Sequence, residues 1–161
     1  MAPRRRKAVL LAALAALAVA LLGALSTELG PWYRSLQQPA WKPPDALFGP
    51  AWTLIYALAA MAGIKAWEAA PDRTARQWIL ALFALNALLN VLWSLLFFRL
   101  QRPDWALVEV GFLWASILLL MVVLGRWSRA AAWLLLPYLL WVSLAATLNL
   151  AVVRLNGPFA P

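Results

Sequence analysis

The sequence contains no cysteine and no histidine. Disulfide bonds, thiolate nucleophiles, Cys/His zinc sites and haem ligated through Cys or His are therefore excluded, and we expect no metal site. Acidic residues are scarce as well, since the 161 positions hold only Glu28, Asp45, Glu68, Asp72, Asp104 and Glu109. Because general acid–base catalysis needs titratable groups, this composition argues against a conventional enzyme, and we expect no required cofactor.

Apolar residues are in excess and make up 65% of the chain. They are grouped in blocks of about twenty residues, the length of a helix that crosses a hydrocarbon core of roughly 30 Å. Lipid requires each spanning segment to satisfy its own backbone hydrogen bonds, which favours helices. We predict an all-α integral membrane protein, a single domain over 1–161 forming a five-helix bundle, with spans at about 8–27, 47–67, 75–98, 105–124 and 130–153.

Basic residues give the chain a formal net charge of +8. A run from Arg4 to Lys7 precedes the first apolar block, and the other basic residues are scattered through the connectors. This pattern orients membrane proteins, so we expect the lipid bilayer as partner and no nucleic acid. The larger share of Lys and Arg on the N-terminal side predicts an N-terminus inside, in a bacterial inner membrane. The first block is longer than the roughly 7–15 residues of a signal-peptide core and is predicted to be a retained span.

Four of the eleven tryptophans lie within predicted spans, at Trp52, Trp93, Trp114 and Trp141; the others fall near span ends, where indoles favour the headgroup boundary. Helical spacing places Trp52 on one face with small residues, and Trp141 likewise with Ala145. Such a face indicates either close helix packing or a ligand recess walled by an indole.

The third span carries a polar stripe of Asn86, Asn90 and Trp93. Amides in a bilayer must hydrogen-bond inward, so these asparagines and Asn149 are either interhelical bonds or ligand contacts. Glu109 is the acidic residue nearest to mid-membrane and is a candidate proton relay or a packing residue.

Three segments together resemble the TspO/MBR family, the tryptophan-rich sensory proteins related to translocator proteins and the peripheral-type benzodiazepine receptor. They are WYRSLQQPAWKPPDALFGPAWTLIY over 32–56, NVLWSLLFF over 90–98 and PYLLWVSLAATLN over 137–149. The resemblance covers nearly the whole chain and implies a five-helix bundle that forms a homodimer. It also implies a pocket for protoporphyrin and related tetrapyrroles, with contacts from Tyr33, Trp41, Trp52, Asn90, Trp93, Trp141 and Ala145.

The family's proposed cholesterol motif is incomplete in this chain. Residues 148–154 read LNLAVVR and lack its tyrosine. Such motifs are weak signals of sterol contact, and the departure argues against high-affinity sterol binding. It does not affect the expectation of porphyrin binding.

The loop over 28–47 is predicted to be stiff because it contains Pro39, Pro43 and Pro44. Proline fixes φ, lacks an N–H donor and holds the preceding residue extended. We interpret the loop as a lid over the pocket, whose walls are completed by Trp32, Tyr33 and Trp41; a rigid interfacial connector is the alternative. Arg34 or Lys42 could then meet a propionate of the ligand.

The sequence thus favours a membrane receptor or translocator that binds tetrapyrroles and takes part in porphyrin sensing or handling. One alternative is an enzyme that degrades porphyrin in light, for which the resemblance implicates Trp52 and Trp141 as the catalytic candidates. The other is a small proton-coupled exporter of hydrophobic molecules, which would need Glu109.

Overall fold

The computed structural model describes residues 14–15, 18–19, 21–22 and 29–159. Its helices are α1 (Pro31–Ser35), α2 (Phe48–Ala69), α3 (Arg73–Ser94), α4 (Pro103–Gly125), α5 (Arg129–Leu134) and α6 (Leu136–Asn156). A 3₁₀ turn (Asp45–Leu47) leads into α2, and a π-helical turn (Leu95–Arg99) extends α3. No strand occurs in this part of the chain, and the predicted all-α fold is confirmed.

Four helical stretches among these residues are long and apolar enough to cross a membrane: Asp45–Ala69, Arg73–Arg99, Pro103–Gly125 and Arg129–Asn156. They match the last four predicted spans, with ends shifted by a few residues. Most of the predicted span at 8–27 lies outside the described residues. The six positions described there are helical.

Short polar side chains and prolines set the helix starts. The Asp72 carboxylate accepts a hydrogen bond from the Ala75 N–H at 2.7 Å, and the Ser128 hydroxyl accepts one from Ala131 at 3.2 Å. Both side chains satisfy N–H groups that a helix start leaves unpaired. Pro103 begins α4, where its missing N–H carries no penalty.

The last span was predicted as one continuous segment and is instead divided at Leu135. Pro137 follows two residues later and has no N–H to donate to the preceding turn. The helical hydrogen bonds are therefore interrupted between α5 and α6. This break separates α5 from the longer α6, which carries two of the predicted pocket residues, Trp141 and Ala145.

Helix α4 lies at the centre of the bundle, between α3 and α6. Its Ile117, Leu120 and Leu124 are completely buried, whereas Val108 and Phe112 on the opposite side are well exposed. Apolar residues at an exposed surface are unfavourable in water but suited to lipid. The packing therefore agrees with an integral membrane protein.

The π-helical turn at the end of α3 brings two adjacent aromatic residues into the core. Phe97 and Phe98 are both buried, and their ring centroids lie 4.8 Å apart. Consecutive residues of a regular α-helix point about 100° apart, so the wider turn lets both rings face inward. π-helical turns of this kind often occur beside functional sites.

Candidate functional site

A cavity of about 560 Å³ lies between α2, α3, α4 and α6 and reaches the first loop. Six of the seven side chains predicted to contact a ligand line it: Tyr33, Trp52, Asn90, Trp93, Trp141 and Ala145. These residues are separated by up to about a hundred positions in the chain and come together only through helix packing. Their convergence makes this cavity the candidate site.

Trp41, the seventh predicted contact, does not line the cavity. Its side chain is 52% exposed. The chain turns at this point, where the Lys42 N–H donates to the Pro39 carbonyl at 3.0 Å. The indole therefore lies at the surface and not in the cavity wall, and contact between Trp41 and a ligand stays a prediction.

Aromatic rings form the cavity wall near its middle. Trp52 stacks on Tyr56 with centroids 5.4 Å apart and meets the edge of Trp141 at 6.5 Å, at 83° between the ring planes. Phe48 in turn meets Trp141 edge-on at 5.5 Å. Both geometries are favourable for π-systems. The spacing of Trp52 and Tyr56 at i and i+4 on α2 produces the stack.

A buried hydrogen-bond network adjoins the cavity, which two of its members, Tyr56 and Asn90, line. Asn90 accepts a bond from the Tyr56 hydroxyl at 3.0 Å and donates to the Tyr138 hydroxyl at 3.0 Å. Tyr138 donates to Asn86 at 3.1 Å, and Asn86 donates to Ser116 at 2.8 Å. Asn86 and Asn90 thus form hydrogen bonds between helices, which is one of the two roles that the sequence left open. Asn90 also lines the cavity, so the other role, contact with a ligand, stays open for it.

Trp93 is held by a second polar junction. Its indole N–H donates to the Asn149 side-chain oxygen at 3.1 Å, and the Asn149 amide donates to the Pro103 carbonyl at 2.8 Å. Trp93 also stacks on Phe97 with centroids 5.2 Å apart. Its ring is therefore fixed in place, with its polar atom already satisfied by the protein.

Trp52 and Trp141 differ from Trp93 in this respect. Within the described residues, neither of their indole N–H groups donates a hydrogen bond to the protein, although both rings line the cavity. A buried indole N–H normally finds a partner. These two donors are therefore free to meet acceptor atoms of a bound molecule.

The first loop supplies the polar residues at the cavity mouth. Asp45 accepts a hydrogen bond from Tyr33 at 3.4 Å and is paired with Lys42. Burial raises the pKa of the Tyr33 phenol, which is therefore neutral at pH 7. Partial burial lowers the pKa of Lys42, but its hydrogen bonds and charge interactions with Asp45 and Tyr33 together outweigh this, and the net change in the pKa is upward. The mouth thus carries a compensated ion pair.

The same loop rests on the end of α3. Trp32 meets Phe97 edge-on at 6.0 Å, and Tyr33 packs on Phe98 at 5.7 Å. The three prolines of the predicted lid, Pro39, Pro43 and Pro44, lie between α1 and the 3₁₀ turn. Arg34 donates to the Leu29 carbonyl at 3.1 Å.

A second, more apolar cavity of about 450 Å³ lies between α2 and α3, with Ala15 and Val19 also in its lining. Tyr56 borders both cavities. Because its hydroxyl is bonded to Asn90, this pair forms part of the partition between the two spaces.

A model of the TspO/MBR family matches residues 9–155. The chain belongs to the TspO/MBR family. Its relatives include the tryptophan-rich protein TspO of Archaeoglobus fulgidus, 40% identical over 146 residues (89% of this chain, 94% of the relative), and that of Chlorobaculum tepidum, 38% identical over 125 residues (78% and 79%). The human translocator protein is 32% identical over 126 residues (78% and 75%).

The family resemblance and the integral membrane character predicted from the sequence are thus confirmed. The chain is a TspO/MBR membrane protein, similar to proteins named tryptophan-rich sensory protein, translocator protein and CrtK. The orientation of its N-terminus, the membrane that holds it and its pairing into homodimers stay predictions.

Glu109 of this TspO/MBR chain lies deeper in the packing than its place near a span end suggested. The side chain is 6% exposed, and neither carboxyl oxygen has a hydrogen-bond partner among the described residues. Its neighbour Val110 lines the aromatic cavity. The exporter hypothesis requires a titratable group in the core, and Glu109 occupies such a position; that hypothesis stays a prediction.

Sequence reasoning missed Tyr138, whose hydroxyl accepts a hydrogen bond from the cavity residue Asn90, and Phe98, which lines the cavity. Tyr138 precedes Trp141 and Val142 by three and four positions, so helical spacing does place them on one face. Phe98 had no such signal, since a regular helix would not turn both Phe97 and Phe98 inward. Only the π-helical turn explains its place in the cavity lining.

Proposed function

We propose that this TspO/MBR protein binds protoporphyrin-type tetrapyrroles in the aromatic cavity and acts as a receptor or translocator in porphyrin sensing or handling. The observation that carries the proposal is the pair of Trp52 and Trp141, which line the cavity with ring centroids 6.5 Å apart and whose indole N–H groups have no hydrogen-bond acceptor among the described residues. A broad, flat π-system is suited to indole faces. The cavity of about 560 Å³ lies within the range of roughly 300–1,000 Å³ typical of small-molecule sites.

The polar groups around the cavity suit a ligand with acceptor atoms and acidic substituents. The two indole N–H groups would donate to such acceptors. Lys42 at the mouth would pair with a propionate carboxylate in exchange for Asp45. With no Cys or His in the chain, the ligand would be held by stacking, burial and hydrogen bonds rather than by those axial ligands.

Titration of the purified protein in detergent with protoporphyrin is expected to quench tryptophan fluorescence and shift the Soret band, and both signals should saturate at about one ligand per chain. Saturation is expected because a single cavity of this lining can enclose only one macrocycle. The control is the same titration into detergent alone. A signal that rises without saturation, in proportion to detergent, would show partition into micelles and contradict the proposal.

A second candidate function, light-dependent degradation of the porphyrin, is favoured by the contact between Trp52 and Trp141. Paired indoles beside an excited porphyrin are placed to exchange electrons with it, with molecular oxygen as the oxidant. Illumination in air is then expected to convert bound porphyrin into a product with altered absorption, and dark samples should not change. Porphyrin recovered intact after illumination would exclude this activity and leave the binding proposal standing.

A further inference from the structure

The side chain of Asn156, the last residue of α6, is bonded to the backbone of the first loop. The Gln37 N–H donates to the Asn156 Oδ1 at 2.7 Å, and the Asn156 Nδ2 donates to the Gln37 carbonyl at 2.9 Å. The same nitrogen donates to the Val152 carbonyl at 2.8 Å, within α6. The two bonded residues are 119 positions apart in the chain. The amide thereby uses both of its N–H donors and its oxygen.

The hydrogen bonds of Asn156 do more than complete the C-terminal end of α6. The carbonyl of Val153 already receives the Gly157 N–H at 2.9 Å, which closes the last turn of α6. Only one of the three Asn156 bonds, that to Val152, serves its own helix. The other two hold both backbone groups of Gln37, as a neighbouring strand would hold them.

The other hydrogen bonds of this part of the loop are local in the chain. Among the described residues, those of residues 30–44 connect them to one another, to Leu29 or to Asp45 and Leu47 of the 3₁₀ turn that follows. The three prolines reduce the number of backbone donors in this segment. Within the described residues, Asn156 therefore makes the hydrogen bonds that attach the loop to α6, a helix distant in the chain.

The attachment lies beside the residues that close the cavity. Leu36, next to Gln37, packs with Trp32 and Tyr33 against a cluster that contains Phe98 and Val152. Tyr33 and Phe98 in turn line the cavity. Phe159, beyond the end of α6, packs against the same cluster. Displacement of Gln37 would therefore be transmitted to the cavity mouth.

We propose that Asn156 is a positioning residue that latches the first loop over the mouth of the aromatic cavity and thereby sets the rates at which the ligand enters and leaves. The proposal rests on the proposed function, since it concerns the ligand of the same cavity. The latch acts on the backbone of Gln37, so the identity of the Gln37 side chain does not matter to it.

This gives a matched pair of variants for stopped-flow measurement of protoporphyrin association and dissociation on the full-length protein. Asn156→Ala removes both bonds to the loop, and each such bond contributes on the order of 1 kcal/mol. We expect both rate constants to rise by about tenfold, equivalent to about 1.4 kcal/mol, with a smaller change in equilibrium affinity. Gln37→Ala keeps both bonds and is expected to show wild-type rates.

The combination of both rates separates a latch from general damage to the pocket. A damaged pocket would lose affinity without faster association. Unchanged rates in Asn156→Ala, or equal acceleration in Gln37→Ala, would overturn the proposal. Asn156→Asp keeps the oxygen that accepts from Gln37 and loses both donors, so its rates should lie between those of wild type and Asn156→Ala.

A second readout does not depend on porphyrin. Because the chain has no cysteine, a single cysteine introduced at the exposed Ala40 can carry a spin label on the loop. The label is expected to become more mobile when Asn156→Ala is added and to stay unchanged with Gln37→Ala. If the wild-type protein binds no porphyrin, the proposed function fails, but the mobility of the label still tests whether Asn156 holds the loop. Equal label mobility in all three proteins would refute the latch.

Discussion

Replacement of Trp52 and Trp141 together by phenylalanine is expected to weaken protoporphyrin binding by about a hundredfold. Phenylalanine keeps an apolar ring in each position but removes both indole N–H groups of these cavity-lining residues, neither of which donates a hydrogen bond to the protein within the described residues. If each donor contributes about 1.4 kcal/mol to binding, as is common for hydrogen bonds to polar ligands, the two losses together give two factors of ten. The measurement is the dissociation constant from the fluorescence and Soret titration.

The matched control removes two indoles from outside the cavity. Trp78 and Trp133 are 57% and 68% exposed, and the double variant Trp78→Phe/Trp133→Phe is expected to bind as tightly as wild type. The control also corrects for the loss of fluorescence that accompanies any tryptophan replacement. Equal affinity of the two double variants would show that the Trp52–Trp141 pair is not the binding surface.

Asn90→Ala is expected to lower the free energy of unfolding by about 2–3 kcal/mol. The asparagine is 4% exposed, and its removal leaves the Tyr56 hydroxyl without its acceptor and the Tyr138 hydroxyl with only its bond to Asn86. A stranded buried polar group costs about 1–3 kcal/mol, and hydrogen bonds between membrane helices contribute roughly 0.6–2 kcal/mol. The change would be measured by reversible unfolding in mixed detergent micelles, followed by circular dichroism.

Leu88 on the same helix provides the comparison. Its side chain is 66% exposed on the outer face of α3, so Leu88→Ala removes as many heavy atoms as Asn90→Ala but breaks no hydrogen bond of the buried network. We expect little change in its unfolding free energy. If Asn90→Ala were as stable as Leu88→Ala, the network would contribute nothing to the fold, and the asparagine would have to be explained by ligand contact alone.

Hydropathy alone located the four described spans, because twenty apolar residues in a row have few other stable arrangements. The break before α6 was not predicted, although Pro137 marks its cause. A proline near the start of a helix is tolerated, and the sequence does not show whether the helix begins there or continues through it. Only the packing of α5 against α2 and α4 decides this.

The site was predictable where helical spacing applies and not where the chain turns. Trp52, Trp93 and Trp141 lie on regular helices, so their faces could be derived from position alone. Trp41 lies in a loop whose prolines predict stiffness but not direction, and its indole lies outside the cavity. Burial of Glu109 likewise depends on which face of α4 meets α3 and α6, and the sequence does not show this because apolar residues occur on every side of α4.

The network of Tyr56, Asn86, Asn90, Ser116 and Tyr138 has a consequence for assembly. Its members come from α2, α3, α4 and α6, so no pair of helices adjacent in the chain can satisfy it. A partly assembled bundle would leave amides and hydroxyls facing hydrocarbon, which is unfavourable. Because only the bundle with all four helices in place completes the network, these hydrogen bonds favour the native arrangement over partly assembled ones.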